Sequence, residues 1–179
     1  MSMTKKLEEI GFQHSGIGTV LNHQRLAVPL NQREYSWKEE HVRTLFQDFA
    51  GAINDEIYFL GTIVLTRGES DVPEVSDGQQ RLATSTILLA AIRDYFFHAG
   101  DKKRAGSIEN DYLLTTDIET TEVVPKLQLN VDDREFFTKY IIATPNTKDR
   151  KIKPSKESHE RIAAAHVSLL LPFGQATSP

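Results

Sequence analysis

The chain of 179 residues contains no cysteine. That removes disulfides, thiolate nucleophiles and zinc sites of the Cys type together. It also lacks any apolar run near the roughly 18 residues a membrane span needs, and its first residues, MSMTKKLEEIGFQHSG, have no apolar signal-peptide core. The expectation is a soluble cytoplasmic protein. A basic surplus is absent too: 21 Lys and Arg stand against 25 Asp and Glu, a net charge of −4, so no global positive field draws nucleic acid to it. The six histidines form no H-x-x-x-H pair and have no acidic partner at metal-site spacing. Neither a G-x-S-x-G elbow nor a G-x-x-x-x-G-K-S/T loop occurs, so a nucleotide would have to be held without a P-loop.

What is present centres on Asp77-Gly78-Gln79-Gln80-Arg81. Residues 57–66 (IYFLGTIVLT) and 73–76 read as strands, and residues 82–97 (LATSTILLAAIRDYFF) as one long, nearly all-apolar helix. The five residues therefore form a strand-to-helix turn. The first N–H groups of a helix lack internal partners and its dipole leaves that end partly positive, which suits a phosphate, with Gly78 allowing close approach. The same residues also read as a cap, with Asp77 and Gln80 satisfying helix donors reciprocally and Arg81 pairing with a carboxylate. Spacing alone leaves both readings open.

Upstream, residues 4–10 and 17–21 suit short helices, and residues 25–28 a short strand stopped by Pro29. Ser36 and Glu39 have the spacing of a capping box opening a helix to about Ala52, with Val42, Leu45, Phe46 and Phe49 on one face. Tyr35 and Trp37 suit core anchors at that helix entry. Gln32 and Arg33, in the loop before it, suit an anion, because the Arg fork matches phosphate and the amide offers donor and acceptor. Gly61 inside an apolar run predicts a bulge or a close backbone approach.

Downstream, residues 99–107 form a charged, glycine-containing stretch that reads as a boundary loop. Short strands are expected at 112–114 and 125–129, then a helix capped by Asn130 that buries Phe136, Phe137, Tyr140 and Ile141. Residues 145–153 read as a solvated basic loop. Ser155 opens a last helix with Ile162, Ala165, His166, Leu169 and Leu170 in a stripe, stopped by Pro172. That stripe must pack on the preceding helix or on a second copy of the chain.

Two segments together resemble a known family. Val28 to Trp37 (VPLNQREYSW) resembles the motif (I/V)-P-x-Y-Q-R-x-Y-x-W, and Tyr58-Phe59-Leu60-Gly61-Thr62-Ile63 followed by Asp77 to Leu82 resembles Y-F-L-G-S-I and D-G-Q-Q-R-L. These are motifs of domain of unknown function 262, the N-terminal domain of GmrSD-type modification-dependent restriction enzymes and related phage-defence proteins. A weaker segment, Lys126 to Asn130 with Asp133 and Phe137, extends the similarity over roughly residues 15–165. The resemblance implies an α+β, ParB/sulfiredoxin-like fold with a small mixed sheet, in which the turn from Gly78 to Arg81 binds phosphate. It implies a DGQQR domain over residues 1–98, a mainly helical C-terminal extension over 107–171 that ends abruptly, and a tail over 172–179. The lack of cysteine separates the chain from the sulfiredoxin branch. Asn31 stands where the family has tyrosine and Ala83 where threonine is usual; the first removes an aromatic that could stack on a base.

Family members are nucleotide hydrolases coupled to restriction of foreign, often modified, DNA, and many carry an HNH nuclease domain that this sequence does not contain. The implied function is a nucleoside-triphosphate-binding and hydrolysing module of such a system. Arg81 and Arg33 would clamp phosphates, the N–H groups from Gly78 onward would cradle them, and Gln79, Gln80 or Gln32 would position a water. Asp77 would cap the helix or act as base, and Mg²⁺ would sit near Glu74 and Asp77 through water. DNA would be reached through a partner or nuclease domain. A second expectation, of another class, is a non-catalytic scaffold that docks a nuclease or forms a homodimer.

Overall fold

A computed structural model describes residues 11, 13, 15–54, 59–67 and 71–175. The helix expected at 4–10 lies outside the described residues. The first element is α1 (Ile17–His23), followed by β1 (Leu26–Ala27), which Pro29 ends as expected. Helix α2 (Glu39–Gly51) buries Val42 and Leu45. Its cap differs from the S-x-x-E expectation. Lys38 is the N-cap, and its N–H donates to His41 Nδ1 at 3.3 Å, because the Ser36 N–H is drawn instead to Gln80 Oε1 at 2.9 Å.

Of residues 59–66, the described part of the strand expected at 57–66, Val64–Thr66 is extended, as β2. It pairs antiparallel with β3 (Glu74–Asp77), with a register irregularity between Val64 and Leu65. After β3 comes α3 (Gln79–His98), buried on nearly every side. Next is α4 (Lys102–Ile108), where a boundary loop was expected. Asp101 explains the difference: its side chain accepts the Arg104 N–H at 3.0 Å and starts the helix, and Ala105 is buried. A π turn at Glu109–Leu113 follows, then β4 (Leu114–Thr116), so Tyr112 and Leu113 are helical rather than extended.

Strand β5 (Val123–Pro125) closes a hairpin with β4, and β6 (Leu127–Gln128) returns to the main sheet. Asn130 caps α5 (Val131–Phe137) as its sequence predicts, accepting the Asp133 N–H at 3.1 Å. A second π turn, Thr138–Ile142, prolongs it. The last helix, α6 (Glu157–Gln175), runs through Pro172 instead of stopping there. Proline removes one late helix bond, and Phe173 compensates by packing on Phe46 and Tyr95 at centroid distances of 6.2 and 5.9 Å.

The architecture is α+β, with a four-stranded mixed sheet in the order β2-β3-β1-β6 and a separate hairpin. Strands β3, β1 and β6 are mutually parallel neighbours, so their carboxyl ends share one edge of the sheet. Strand β6 comes from beyond residues 99–107, and one continuous core joins Leu26, Val75, Leu82, Phe136 and Ile162. Sheet and core thus run across the boundary expected there.

The stripe of α6 is covered within the chain. Ile162, Ala165, His166 and Leu169 are buried, mainly against α3, α2 and α5. Of the two alternatives the stripe left open, packing within the chain is the one it takes.

Behind this core lies a polar network that the sequence did not announce. Arg93 of α3, 1 % exposed, bonds Asp94 at 2.6 Å, Glu109 at 2.8 Å and the carbonyls of Ile141, Ile142 and Ala143. Arg150, in the stretch expected to be solvated, bonds Asp94 and the Ala143 carbonyl, and His166 meets Asp94 at 2.9 Å. Burial alone would push the Asp94 carboxyl up. The hydrogen bond from His166 and the charges of Arg93 and Arg150 outweigh it and hold the carboxyl below its usual range.

Two outcomes are expected. Leu169→Glu should cost about 3 kcal/mol or more in urea unfolding while light scattering shows an unchanged oligomeric state, since it puts a charge into the core. Because the folded Asp94 carboxyl is the stronger acid, its stabilisation is complete above the unfolded value of about 4 and is lost as pH falls through the folded one. Stability of the wild type should therefore fall more steeply with acid below about pH 4 than that of Asp94→Asn.

Candidate functional site

The three parallel strands deliver three loops to one edge: 28–38 after β1, 77–79 after β3 and 129–130 after β6. Such an edge is where open α/β sheets collect ligand groups. Hydrogen bonds tie the loops together. Gln32 Nε2 donates to the Ser76 carbonyl at 3.2 Å, and Asn130 Nδ2 donates to the Gln32 carbonyl at 3.0 Å. The Tyr35 N–H donates to Asp133 Oδ2 at 2.7 Å.

The turn into α3 is made by Gly78, at φ 86° and ψ 7°, which is the N-cap. That left-handed conformation suits glycine. A Cβ there would lie 3.0 Å from the Ile63 side chain and 3.2 Å from the Thr62 carbonyl, so the close approach is by the chain itself. Asp77 does not cap the helix. It is the last residue of β3, 69 % exposed at its side chain, and no side chain bonds the first turn. No acidic residue stands in that turn either. Among the described residues, then, no side chain caps the N–H groups and positive dipole end of this 20-residue helix.

The motif's other residues divide into two groups. Gln80 is buried; its Oε1 accepts the Ser36 and Trp37 N–H groups at 2.9 and 3.3 Å, and its Nε2 donates to the Glu34 carbonyl at 3.3 Å. It staples the 28–38 loop to α3, in place of the capping-box partnership with Asp77. Arg81 donates to the Leu60 and Thr62 carbonyls at 3.0 and 2.7 Å, and lies 3.7 Å from Asp77. Gly61, at φ 102°, makes room for it, because a Cβ there would sit 1.6 Å from Arg81 Nη1. The close approach expected at Gly61 is thus to a guanidinium.

The second group is free. Arg33 is exposed and makes no hydrogen bond or ion pair among the described residues. Gln79 has a buried Oε1 without a partner. Both line a small pocket with Gln80, Asn130 and Asp133. Asp133 and Asn130 were not singled out from the sequence as site residues. The signal was present in the Asn130 cap, which fixes an acidic residue at the third helical position and turns it toward the 28–38 loop.

Tyr35 and Trp37 are core anchors. The Tyr35 hydroxyl bonds Thr84 at 2.8 Å, and burial pushes its pKa up to about 12 despite that bond. Trp37 stacks on His41 at 5.9 Å. Thr84 and Thr86 bond back to the carbonyls of Gln80 and Leu82, as helix threonines do. Glu74 and Asp77 stand at the two ends of β3, across the register irregularity, and no further His, Asp or Glu among the described residues joins them into a group able to hold a metal. Among the described residues no three His, Asp or Glu side chains converge, and no helix is long and apolar enough to cross a membrane.

A mixed sheet with an uncapped helix start and an unpaired arginine at its parallel edge defines an α+β domain with the elements of an anion site. A family model for the GmrSD restriction endonuclease, N-terminal domain, matches residues 17–169. The chain belongs to that family and is a module of the restriction, or phage-defence, type. No curated protein matches it.

Gly61→Ala should displace the Arg81 guanidinium and strain a positive-φ position, lowering stability by about 1–3 kcal/mol in chemical unfolding. The loss should shrink in an Arg81→Ala background, since the clash then has no partner.

Proposed function

We propose that this chain binds a nucleoside triphosphate at the start of α3 and hydrolyses it, serving as the nucleotide-dependent module of a restriction system. The observation that carries this reading is the uncapped, acid-free first turn of a long buried helix, beside a pocket also lined by an arginine without a partner among the described residues. A phosphate would satisfy the N–H groups following Gly78, and the dipole and Arg33 would both favour its charge. Gln79, with a free amide oxygen, is the glutamine available to orient a water. Gln80, Gln32 and Arg81 support the site by fixing its loops, Arg81 through two of its five N–H donors. A ParB/sulfiredoxin-like relationship, and access to DNA through a nuclease partner, belong to the same proposal. So does a bound Mg²⁺, which the phosphates themselves would have to hold in large part.

The alternative, a non-catalytic scaffold, draws support from the same bonds: two of the signature residues, Gln80 and Arg81, are occupied by the fold. Thermal unfolding with each Mg²⁺–nucleoside triphosphate separates the two. Saturation at about 100 times Kd should add roughly 2.7 kcal/mol, or about 5–10 °C, for the nucleotide bound. Arg33→Ala should abolish most of that gain and leave the ligand-free Tm unchanged. Arg81→Ala should lower the ligand-free Tm. No shift with any nucleotide would favour the scaffold.

A further inference from the structure

The pocket beside Gln79 carries a second, more specific message. Its volume is about 10 Å³, room for about one water molecule. One of the residues lining it, Gln79, has a buried amide oxygen that no described residue satisfies. Another, Asp133, is 1 % exposed; its Oδ2 accepts the Tyr35 N–H at 2.7 Å and its Oδ1 accepts the Ser158 hydroxyl at 2.5 Å. Each carboxylate oxygen keeps a further lone pair. A buried acceptor without a partner, in a space of one water, calls for a donor of that size. The carboxylate excludes an anion.

We propose that this cavity holds one water, bonded to Gln79 and Asp133, and that this water is the nucleophile of the hydrolysis. The chemical half of the inference rests on the function proposed above; the water itself does not. Gln79 is the first residue of α3, so the water lies beside the turn where the terminal phosphate would sit. In the step, the water oxygen forms a bond to the terminal phosphorus. The bond from that phosphorus to the bridging oxygen breaks, and its electron pair leaves with the nucleoside diphosphate. The water's proton passes to the Asp133 carboxylate and from there to the released phosphate. Gln79 orients the water and takes no proton. Gln80 cannot share this role, because both ends of its amide are bonded to the 34–37 backbone.

The test has two parts. A high-resolution crystal structure of the ligand-free protein should show a water within hydrogen-bond distance of Gln79 and Asp133; an empty pocket overturns the inference, whatever the protein does to nucleotides. In solution, Gln79→Leu should lower kcat by about 100-fold, while affinity for a non-hydrolysable triphosphate analogue stays within about threefold of wild type. Asp133→Asn keeps an acceptor for Tyr35 and should likewise lower kcat by about 100-fold with the analogue's affinity unchanged. Wild-type turnover by Gln79→Leu would overturn the nucleophile assignment while leaving nucleotide hydrolysis standing. A water present in a protein that binds no nucleotide would overturn the proposed function and the nucleophile assignment together.

Discussion

The Arg93 guanidinium is the group on which the rest of the molecule hangs. It is a full charge in the interior, tolerable only because all of its surroundings are arranged for it. Asp94 and Glu109 supply opposite charge, and the carbonyls of Ile141, Ile142 and Ala143 supply acceptors at the end of a helix whose own carbonyls would otherwise be orphaned. Through Asp94 the same network takes in Arg150 and His166. One helix, α3, thereby fixes the turns after α4 and α5 and the middle of α6. Taking away a single partner in such an arrangement costs about 3–5 kcal/mol, because the remaining charge stays buried.

That network anchors the second half of α3, while its first turn faces the sheet edge. The division has a physical logic. An uncapped helix start is unfavourable in isolation, and the protein can leave it uncapped because the helix is held elsewhere by burial and by Arg93. Gln80 and Arg81 then hold the neighbouring loops around that start rather than quenching it. The motif is best understood as a frame with an open centre, in which Gln79 and Arg33 are the members left unspent.

The parts of this arrangement legible in sequence were the local ones. Period and turn chemistry located α2, α3, α5 and α6, the strands around Val75 and Leu26, the Asn130 cap and the strand-to-helix turn at Gly78. Tyr35 and Trp37 read correctly as anchors, and Gly61 as a place of close approach. What was not legible depended on partners far along the chain. Arg93 sits in a helix otherwise read as apolar, and its carbonyl acceptors lie 48 to 50 residues away. Asp101 turned a charged glycine-containing stretch into a helix, and Arg150 turned a basic loop into part of the interior. Asp77 looked like a cap because its spacing to Gln80 is right, yet the positive φ of Gly78 sends the chain past the geometry a cap requires. Asp133 was named only within the weaker family segment and not as a site residue, because a helix-start acid is ordinarily solvated.

The sheet order also governs how the molecule comes into being. The Tyr35–Asp133 and Gln32–Asn130 bonds each close a loop of 98 residues, and β6 joins β1 across a comparable span. Non-local closures of this kind cost chain entropy before they return any contact energy, so they belong to the late part of folding. On a ribosome, the DGQQR turn would be made long before the wall that completes its pocket had left the exit tunnel. Until residue 133 is in place, the nascent chain carries a formed signature motif without a finished cavity. The hallmark sequence and the pocket beside it are therefore separated in time as well as along the chain.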